Sequence, residues 1–590
     1  MFLKQSVSNG KIYLSFVQGY RADGKVKQKT IEKLGYLDDL KKLYDDPIAH
    51  FKSVAKELNL ADTSARSIEV SLNHRLESNT SARKNLGYSI AKRIYSLLAI
   101  NKFLQNKQKH LTIEYNLNGI FSLLIFNRFL FPSSKKKAFD NRNFFFESYD
   151  FSLDDLYRSL DYFSRYSELL QQHLHEKVCE FIGRDGKLGY YDVTNYYFEI
   201  PYNDEDEYDE HGVLVKKGFR KKGPSKEHRP DPIVQMGLLM DSNGIPMAFN
   251  TFSGGESEKT SLIPIIRRVK KDYGIERIIT VADRGLNTSD NTTFLAGIND
   301  DHSQGHDGYV YGQSILSADK EFKAWVLTQD GYLHTKESDK NGEDVVFTHK
   351  SRVYAKTIQL ENSRGKRRLK MNIYQKQMVY YSHKYAEKQK KERELVLLKA
   401  KDLIANPGKY TRATGFGAAS YINNIKFVKE TGEIPDGIDL SLNLEKIAEE
   451  EKYDGYYSIV TSEKHLSDIE IRNIYKGLWE IEESFKVIKS EFKARPVYLK
   501  LESHINAHFL ICFVSLLILR VLEYKLNKKY PVSQIRESLI RYSCSHLDRN
   551  YYLFDYRDEI LQLMESVFDM DLGNKIMSTS EIKKILQYYK

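Results

Sequence analysis

Apolar and polar residues alternate from Lys11 to Val17 and again from Lys25 to Ile31, with Asp23-Gly24 between them, so residues 11–34 predict a hairpin. Pro47, placed where proline is tolerated, marks the start of a helix. From about residue 85 to 180 the apolar positions recur at helical spacing, and the run 119–131 is apolar on nearly every side. The period then changes. Gly189 to Glu199 is rich in aromatic and β-branched residues and predicts a strand. Pro232–Met240 and Pro246–Phe252 predict two more, joined through Asn243-Gly244. A helix over about 259–272 follows, then a short buried strand, Arg277 to Asp283, which ends in a carboxylate.

Three antiparallel strands, a helix and a parallel strand are the opening of an RNase H-like core. A long interruption is expected next. Residues 315–450 hold strand-like runs at Val345–Leu360 and Lys366–Tyr381, then a Lys/Glu-rich helix at Ala386–Ala405, and Gly455–Thr461 is the strand where the core should resume. Ser467 and Glu470 have capping-box spacing and no proline intervenes before Pro496, so 467–489 predicts one unbroken helix. The chain after residue 496 predicts helix to its end. The fold class expected is an α/β RNase H-like catalytic core interrupted by a β-rich insertion, with helical flanking domains. Its boundaries are 1–80 (hairpin plus helix), 81–180 (helices whose basic ends suit DNA), 181–314 and 453–525 (the two parts of the core), 315–452 (insertion) and 526–590 (C-terminal helices).

Composition narrows the function classes. The chain has 590 residues, with 90 Lys+Arg against 80 Asp+Glu, a formal net charge of +10 that permits a polyanionic partner. Its three cysteines, Cys179, Cys512 and Cys544, are far apart and form no CxxC, which argues against a disulfide scaffold or a cysteine zinc site and for a reducing cytoplasm. The first residues do not form a signal peptide. The apolar runs Ile120–Phe131 and Phe509–Leu519 are read as buried helices too short to span a bilayer, so no membrane partner is expected.

The candidate chemistry lies in three carboxylates. At ~100° per residue, Tyr475, Leu478, Glu482, Lys486 and Lys489 share one face of the predicted helix. On that helix alone an exposed, salt-bridged face is the simpler reading. Asp192 within a core strand and Asp283 at the tip of another give Glu482 two partners. Oxygen-only donors in a loose cluster suit Mg²⁺, with Mn²⁺ as the alternative, and two such ions suit in-line displacement at phosphorus. Asp283 before Arg284-Gly285 reads equally as a strand end, whereas Asp192 in mid-strand needs a partner. Lys226 to Asp231, containing His228 and Arg229, reads as a loop beside the site or as a basic turn. His302 and His306, in a Gly/Asp-rich stretch without cysteines, read as loop rather than metal ligands.

The order of the three acids, the interruption before the last, and the spacing Tyr475-x2-Leu478-x3-Glu482-x6-Lys489 resemble the DDE transposases of bacterial insertion sequences. The branch is insertion sequence family four, with its Tyr-x2-Arg-x3-Glu-x6-Lys signature. Further matches are Ser225 to Asp231, Gly237 to Pro246, Val281 to Asn287, Leu478 to Lys486 and Arg495 to Tyr498. The Leu-Trp-x-Ile-Glu form at Leu478–Glu482 is similar to the subgroup labelled sixteen thirty-four, and the similarity runs from the early hairpin to about residue 525. The resemblance implies Asp192, Asp283 and Glu482 as catalytic ligands of two Mg²⁺ ions. It implies Tyr475, Lys489, Arg284, His228 and Arg229 as DNA contacts, with Lys486 taking over from the arginine that Leu478 replaces. The expected partners are double-stranded DNA, as transposon ends and target, and a second copy in a synaptic homodimer. The expected reaction is cleavage at the inverted-repeat ends and joining of the 3′-OH ends to target DNA. The alternatives are a nuclease without strand transfer and a decayed copy that only binds DNA.

Overall fold

The computed structural model describes residues 1–8, 10–22, 25–61, 75, 81–223, 226, 230–297, 307–338, 344–361, 368–411, 414–415, 417–428, 432–435, 437–547 and 550–587. These form two compact units. In the N-terminal unit, strands Phe2–Ser8, Lys11–Ala22 and Lys25–Tyr36 pair antiparallel in that order. The expected hairpin is the second and third of these, and its Asp23-Gly24 turn lies outside the described residues. Helix Pro47–Ala61 starts at the expected proline, and the Asp46 carboxylate caps it by accepting from the amides of Ile48 and Ala49 at 3.0 Å each.

The larger unit is built on one sheet. Its strands in the described residues are β1 (Leu188–Tyr197), β2 (Ile233–Met240), β3 (Pro246–Ser253), β4 (Ile279–Ala282), β5 (Gly308–Gln313), β6 (Leu333–Ser338), β7 (Asp344–Glu361), β8 (Arg368–Tyr381) and β9 (Tyr456–Thr461). The spatial order is β6-β7-β8-β9-β5-β4-β1-β2-β3. β1, β2 and β3 are antiparallel, and β1, β4 and β5 run parallel. The resulting order 3-2-1-4-5 is that of an RNase H-like core. The turn into β3 uses Gly244 at φ +77°, as the Asn-Gly pair predicts.

Two expectations are corrected here. The fifth core strand is β5, before the interruption, and not Gly455–Thr461. The latter becomes β9, which pairs antiparallel with β5 on one side and β8 on the other. Strands β6–β8 of the interruption extend the core sheet. The chain after 496 is also not wholly helical. Ser543–His546, Tyr551–Phe554 and Ile576–Ser578 join Arg83–Asn85 in a small antiparallel sheet, formed by pairing between segments distant in sequence.

Both faces of the sheet are covered, which is why β2 is buried along its whole length. The helices that matter for the site are α1 (Leu117–Leu130), α2 (Leu262–Tyr273), α3 (Ser289–Leu295), α4 (His383–Ala405), α5 (Asp468–Lys476), α6 (Trp479–Lys486), α7 (Glu502–Lys525) and α8 (Val532–Arg541). Tyr190, Tyr196, Met236, Val281 and Ile459 share a core with α1, α5, α6 and α7. Tyr191, Val193, Ala282, Tyr311 and Val460 share the opposite core with α2 and α3. Helix α7, at 24 residues, is longer than its apolar run suggested, and is long and apolar enough to cross a membrane. However, 94% of its apolar window is buried inside the protein.

Candidate active site

Strand register places the first two acids. Tyr191 of β1 lies opposite Ala282 of β4 at the end of a parallel ladder; Asp192 directly follows the first, and Asp283 directly follows the second just beyond β4. Adjacent strands are ~4.8 Å apart and in-register side chains leave the same face. That face is the one carrying Tyr190 and Val281, beneath α5 and α6. The Asp192 carboxylate is 3.8 Å from the Lys226 ammonium and accepts from the Val193 amide at 2.7 Å. Lys226 also donates to the Val193 carbonyl. Burial pushes the Asp192 carboxyl up to about 6; Lys226 and the Val193 amide oppose the shift, and the negative charges of Asp283 and Glu258 add to it. Asp283 is exposed where β4 ends and accepts from the Arg284 amide at 2.5 Å. Two carboxylates thus lie close enough for the charge of one to disfavour that of the other.

The third acid rides on a helix that is not the unbroken one expected. The capping box at its start forms as predicted, with Ser467 accepting from the Glu470 amide and Glu470 from the Ser467 amide. The helix then breaks at Gly477-Leu478, between α5 and α6. The Tyr190 hydroxyl donates to the Ile474 carbonyl at 3.0 Å, and that carbonyl also takes the Gly477 amide at 3.0 Å, so the regular bond ladder is interrupted. A Cβ at Gly477 would lie 2.2 Å from the Tyr190 hydroxyl, so this close approach requires glycine. After α6 the backbone widens into a π-helix over Val487–Glu491. Both changes shift the phases that a uniform helix would give Glu482 and Lys489.

The route of this helix relative to β1 is nonetheless defined. Gly477 sits over Tyr190, and the Lys489 ammonium lies 5.6 Å from the Tyr196 ring. Asp192 falls between those tyrosines on the same strand face, and Glu482 between Gly477 and Lys489 on the helix. Ile481 and Phe485 bury the inner side of α6, while Glu482 and Lys486 are exposed. Among the described residues no three His, Cys, Asp or Glu side chains stand close enough together to hold a metal ion. The fold therefore unites Asp192 and Asp283 and leaves Glu482 on the flank.

The candidate DNA contacts divide. Lys489 is half-buried near Asp192, and burial with Lys226 brings its ammonium down to about 8, against the upward pull of Asp192. Lys486 is exposed, 3.7 Å from Glu483. Arg284 is exposed beside Asp283. Tyr475 points inward: it is 8% exposed, its hydroxyl is 3.0 Å from that of Tyr457, and it packs under Gly312 of β5. His228 and Arg229, like His302 and His306, lie outside the described residues. Sequence reasoning passed over Lys226 and Glu258 as individual residues, and only their placement beside Asp192 reveals them. It also passed over a cavity of about 410 Å³ between Asp283-Arg284 and α4, lined by Tyr385, Gln389, Arg393 and Tyr457.

Comparison with known proteins adds the following. Residues 208–518 match the family profile described as "Transposase DDE domain", and residues 3–67 match "IS1634 family transposase, N-terminal domain". No curated protein matches the chain. Among solved structures it is similar to the "Mos1 transposase paired-end complex with left transposon end", at 11% identity over 42% of this chain and 65% of that one, with a TM-score of 0.13. The "Mos1 mariner paired end complex with Mn" matches at 10% identity over 44% and 70%, also with a TM-score of 0.13. The chain thus spans less than two thirds of the first of these, and similarity at that level sets no residue correspondences.

Proposed function

Since the DDE domain profile covers residues 208–518, more than half of the 590, the chain belongs to the DDE transposases, and we propose that it cuts DNA at the inverted-repeat ends of an insertion sequence and joins the freed 3′-OH ends to target DNA. The observation that carries this reading is the proximity of Asp192 and Asp283 beyond the last paired rung of β1 and β4, beside the helix that bears Glu482 and Lys489.

The donor set fits divalent ions. Its oxygens are hard ligands, and burial with like charge already disfavours the anionic form of Asp192, a cost that a cation relieves. Asp192, Asp283 and Glu482 would hold two Mg²⁺, or Mn²⁺, whose chemistry is to neutralise charge at phosphorus and to acidify a bound water. The protein's own groups orient the reaction. Asp192 and Asp283, fixed by the sheet, define where the scissile phosphate lies. Lys489 places an ammonium beside it, largely protonated at neutral pH, since its titration lies at about 8. Arg284 and Lys486 extend the cationic rim along the DNA backbone. In the first step a water oxygen bonds to phosphorus and the bond to the 3′ oxygen breaks. In the second, that 3′ oxygen bonds to a target phosphorus and a target P–O3′ bond breaks. The strands β6–β8 and α4 would cover the cleaved end, and a second copy would hold the second end.

The test is cleavage of a duplex carrying the terminal inverted repeat that flanks the reading frame. Wild type should nick it only with Mg²⁺ or Mn²⁺, and Asp192→Asn, Asp283→Asn and Glu482→Gln should not. Variants that cut like wild type would refute the assignment. Pre-cut ends that wild type fails to join to a plasmid would leave a nuclease in place of a transposase.

A further inference from the structure

The helical layer buries several basic side chains. Arg128 near the end of α1 is 5% exposed, Lys135 is 7% exposed, and His508 in α7 is 4% exposed. Neither Arg128 nor Lys135 forms an ion pair with a carboxylate among the described residues. Such burial is costly unless the polar atoms find partners, and the partners here are unusual. Arg128 donates through Nη1 to the carbonyls of Phe492, at 2.7 Å, and Lys493, at 3.4 Å, and through Nη2 to that of Ser133, at 3.1 Å. His508 Nε2 lies 3.1 Å from the Ala494 carbonyl, and its Nδ1 lies 2.8 Å from the Lys135 ammonium. A carbonyl only accepts, so the proton is on Nε2, and Nδ1 accepts from Lys135.

The three carbonyls at Phe492, Lys493 and Ala494 directly follow the π-helical extension of α6. Lys493 stands at φ +46°, a left-handed position that glycine usually takes, so the turn needs support from outside itself. Arg536 of α8 adds a third tie, pairing with Glu491 and donating to the Phe129 carbonyl at 2.9 Å. Cations at a helix C-terminus also meet the negative end of its dipole.

We infer that Arg128 and the Lys135–His508 pair are positioning residues that fix the axial rotation of α6 and its π-helical extension, and with it the direction of Glu482 and Lys489 towards Asp192. The inference rests on the proposed role of Glu482. Its physical content is leverage. A rotation of about 15° moves a helix-borne carboxylate by roughly 2 Å, beyond the ~0.5 Å tolerance of a catalytic constellation. A clamp on backbone carbonyls restrains that rotation whatever the side chains on the outer face are doing.

The test uses the full chain and the same inverted-repeat duplex, comparing wild type, His508→Leu, Arg128→Lys and the rescue variant His508→Gln. The Gln amide can still donate to Ala494 and accept from Lys135. End binding by gel shift should stay within twofold of wild type in all three. Single-turnover cleavage should fall at least tenfold in His508→Leu and Arg128→Lys, with half-saturation by Mg²⁺ shifted upward, and His508→Gln should restore most of both. Cleavage that is unchanged, or that falls only in proportion to the folded fraction measured by circular dichroism, would overturn the inference. So would failure of both His508→Leu and Arg128→Lys to fold, because the clamp would then be only structural. Glu482→Gln distinguishes the two layers. If it is inactive while His508→Leu cuts normally, this inference alone falls; if it is fully active, the proposed function falls with it.

Discussion

The strand acids and the helix acid are held by different physics. Asp192 and Asp283 are close because each directly follows a member of the last paired rung, Tyr191 and Ala282, of one parallel ladder, so strand register sets where both begin. Glu482 is exposed on a short helix segment whose course depends on side chains reaching in from elsewhere. Tyr190 interrupts it at Gly477, Arg520 donates to the Ser484 hydroxyl at 2.8 and 3.1 Å, and Arg128, His508 and Arg536 tie down its end. On the proposed reading such a site has two strand-held carboxylates and one adjustable arm. The arm's set point is a packing property, distributed over partners far away in sequence.

The contrast can be broken most sharply at the rigid half. Asp192→Asn should lower end cleavage by roughly 10³-fold or more, about 4 kcal/mol of transition-state stabilisation. It should not lower the thermal midpoint of the metal-free protein at pH 7. A carboxyl held up to about 6 against an ordinary 3.8 costs stability progressively as pH rises through that interval, and the amide removes the cost. A fall in midpoint would show that the charge is needed for folding.

Gly477→Ala strikes the arm instead. Its Cβ would meet the Tyr190 hydroxyl and ring, so overpacking of about 2 kcal/mol is expected in denaturant titration, with slower cleavage and normal end binding. Tyr190→Phe removes only the hydrogen bond to Ile474, about 1 kcal/mol, and lets the Ile474 carbonyl return to the helical ladder. Hydrogen exchange at the amides of 474–482 should report a more regular helix. The smallest effect is expected at Lys486→Ala. Its ammonium is exposed and only loosely paired, so binding should weaken less than tenfold and the log–log salt slope should drop by about 1.

These differences also decide what could be read from sequence. Asp192 and Asp283 were legible because strand patterning is local: aromatic and β-branched runs mark β1 and β4, and the Asn-Gly turn fixes β2 and β3. The capping box at Ser467 was legible for the same reason. The break at Gly477 was not, because its cause, the Tyr190 hydroxyl, lies 284 residues before Ile474, whose carbonyl it takes. The inward turn of Tyr475 was hidden likewise, since its partner Tyr457 and the space under Gly312 are tertiary. β5 was missed because six residues, Gly308–Gln313, follow a Gly/Asp-rich stretch and carry too short a pattern. Arg128 and His508 carried no signal in sequence, because the carbonyls they serve at Phe492 to Ala494 are tertiary neighbours.

The central claim is that the rigid pair and the clamped arm form a single metal site. Mn²⁺ binding by electron paramagnetic resonance, on the full chain with an inverted-repeat duplex, tests it most directly. Wild type should take up two tightly bound ions per chain, and both Asp192→Asn and Glu482→Gln should lose at least one. If Glu482→Gln binds Mn²⁺ as wild type does, Glu482 is not a ligand and the arm belongs to another function.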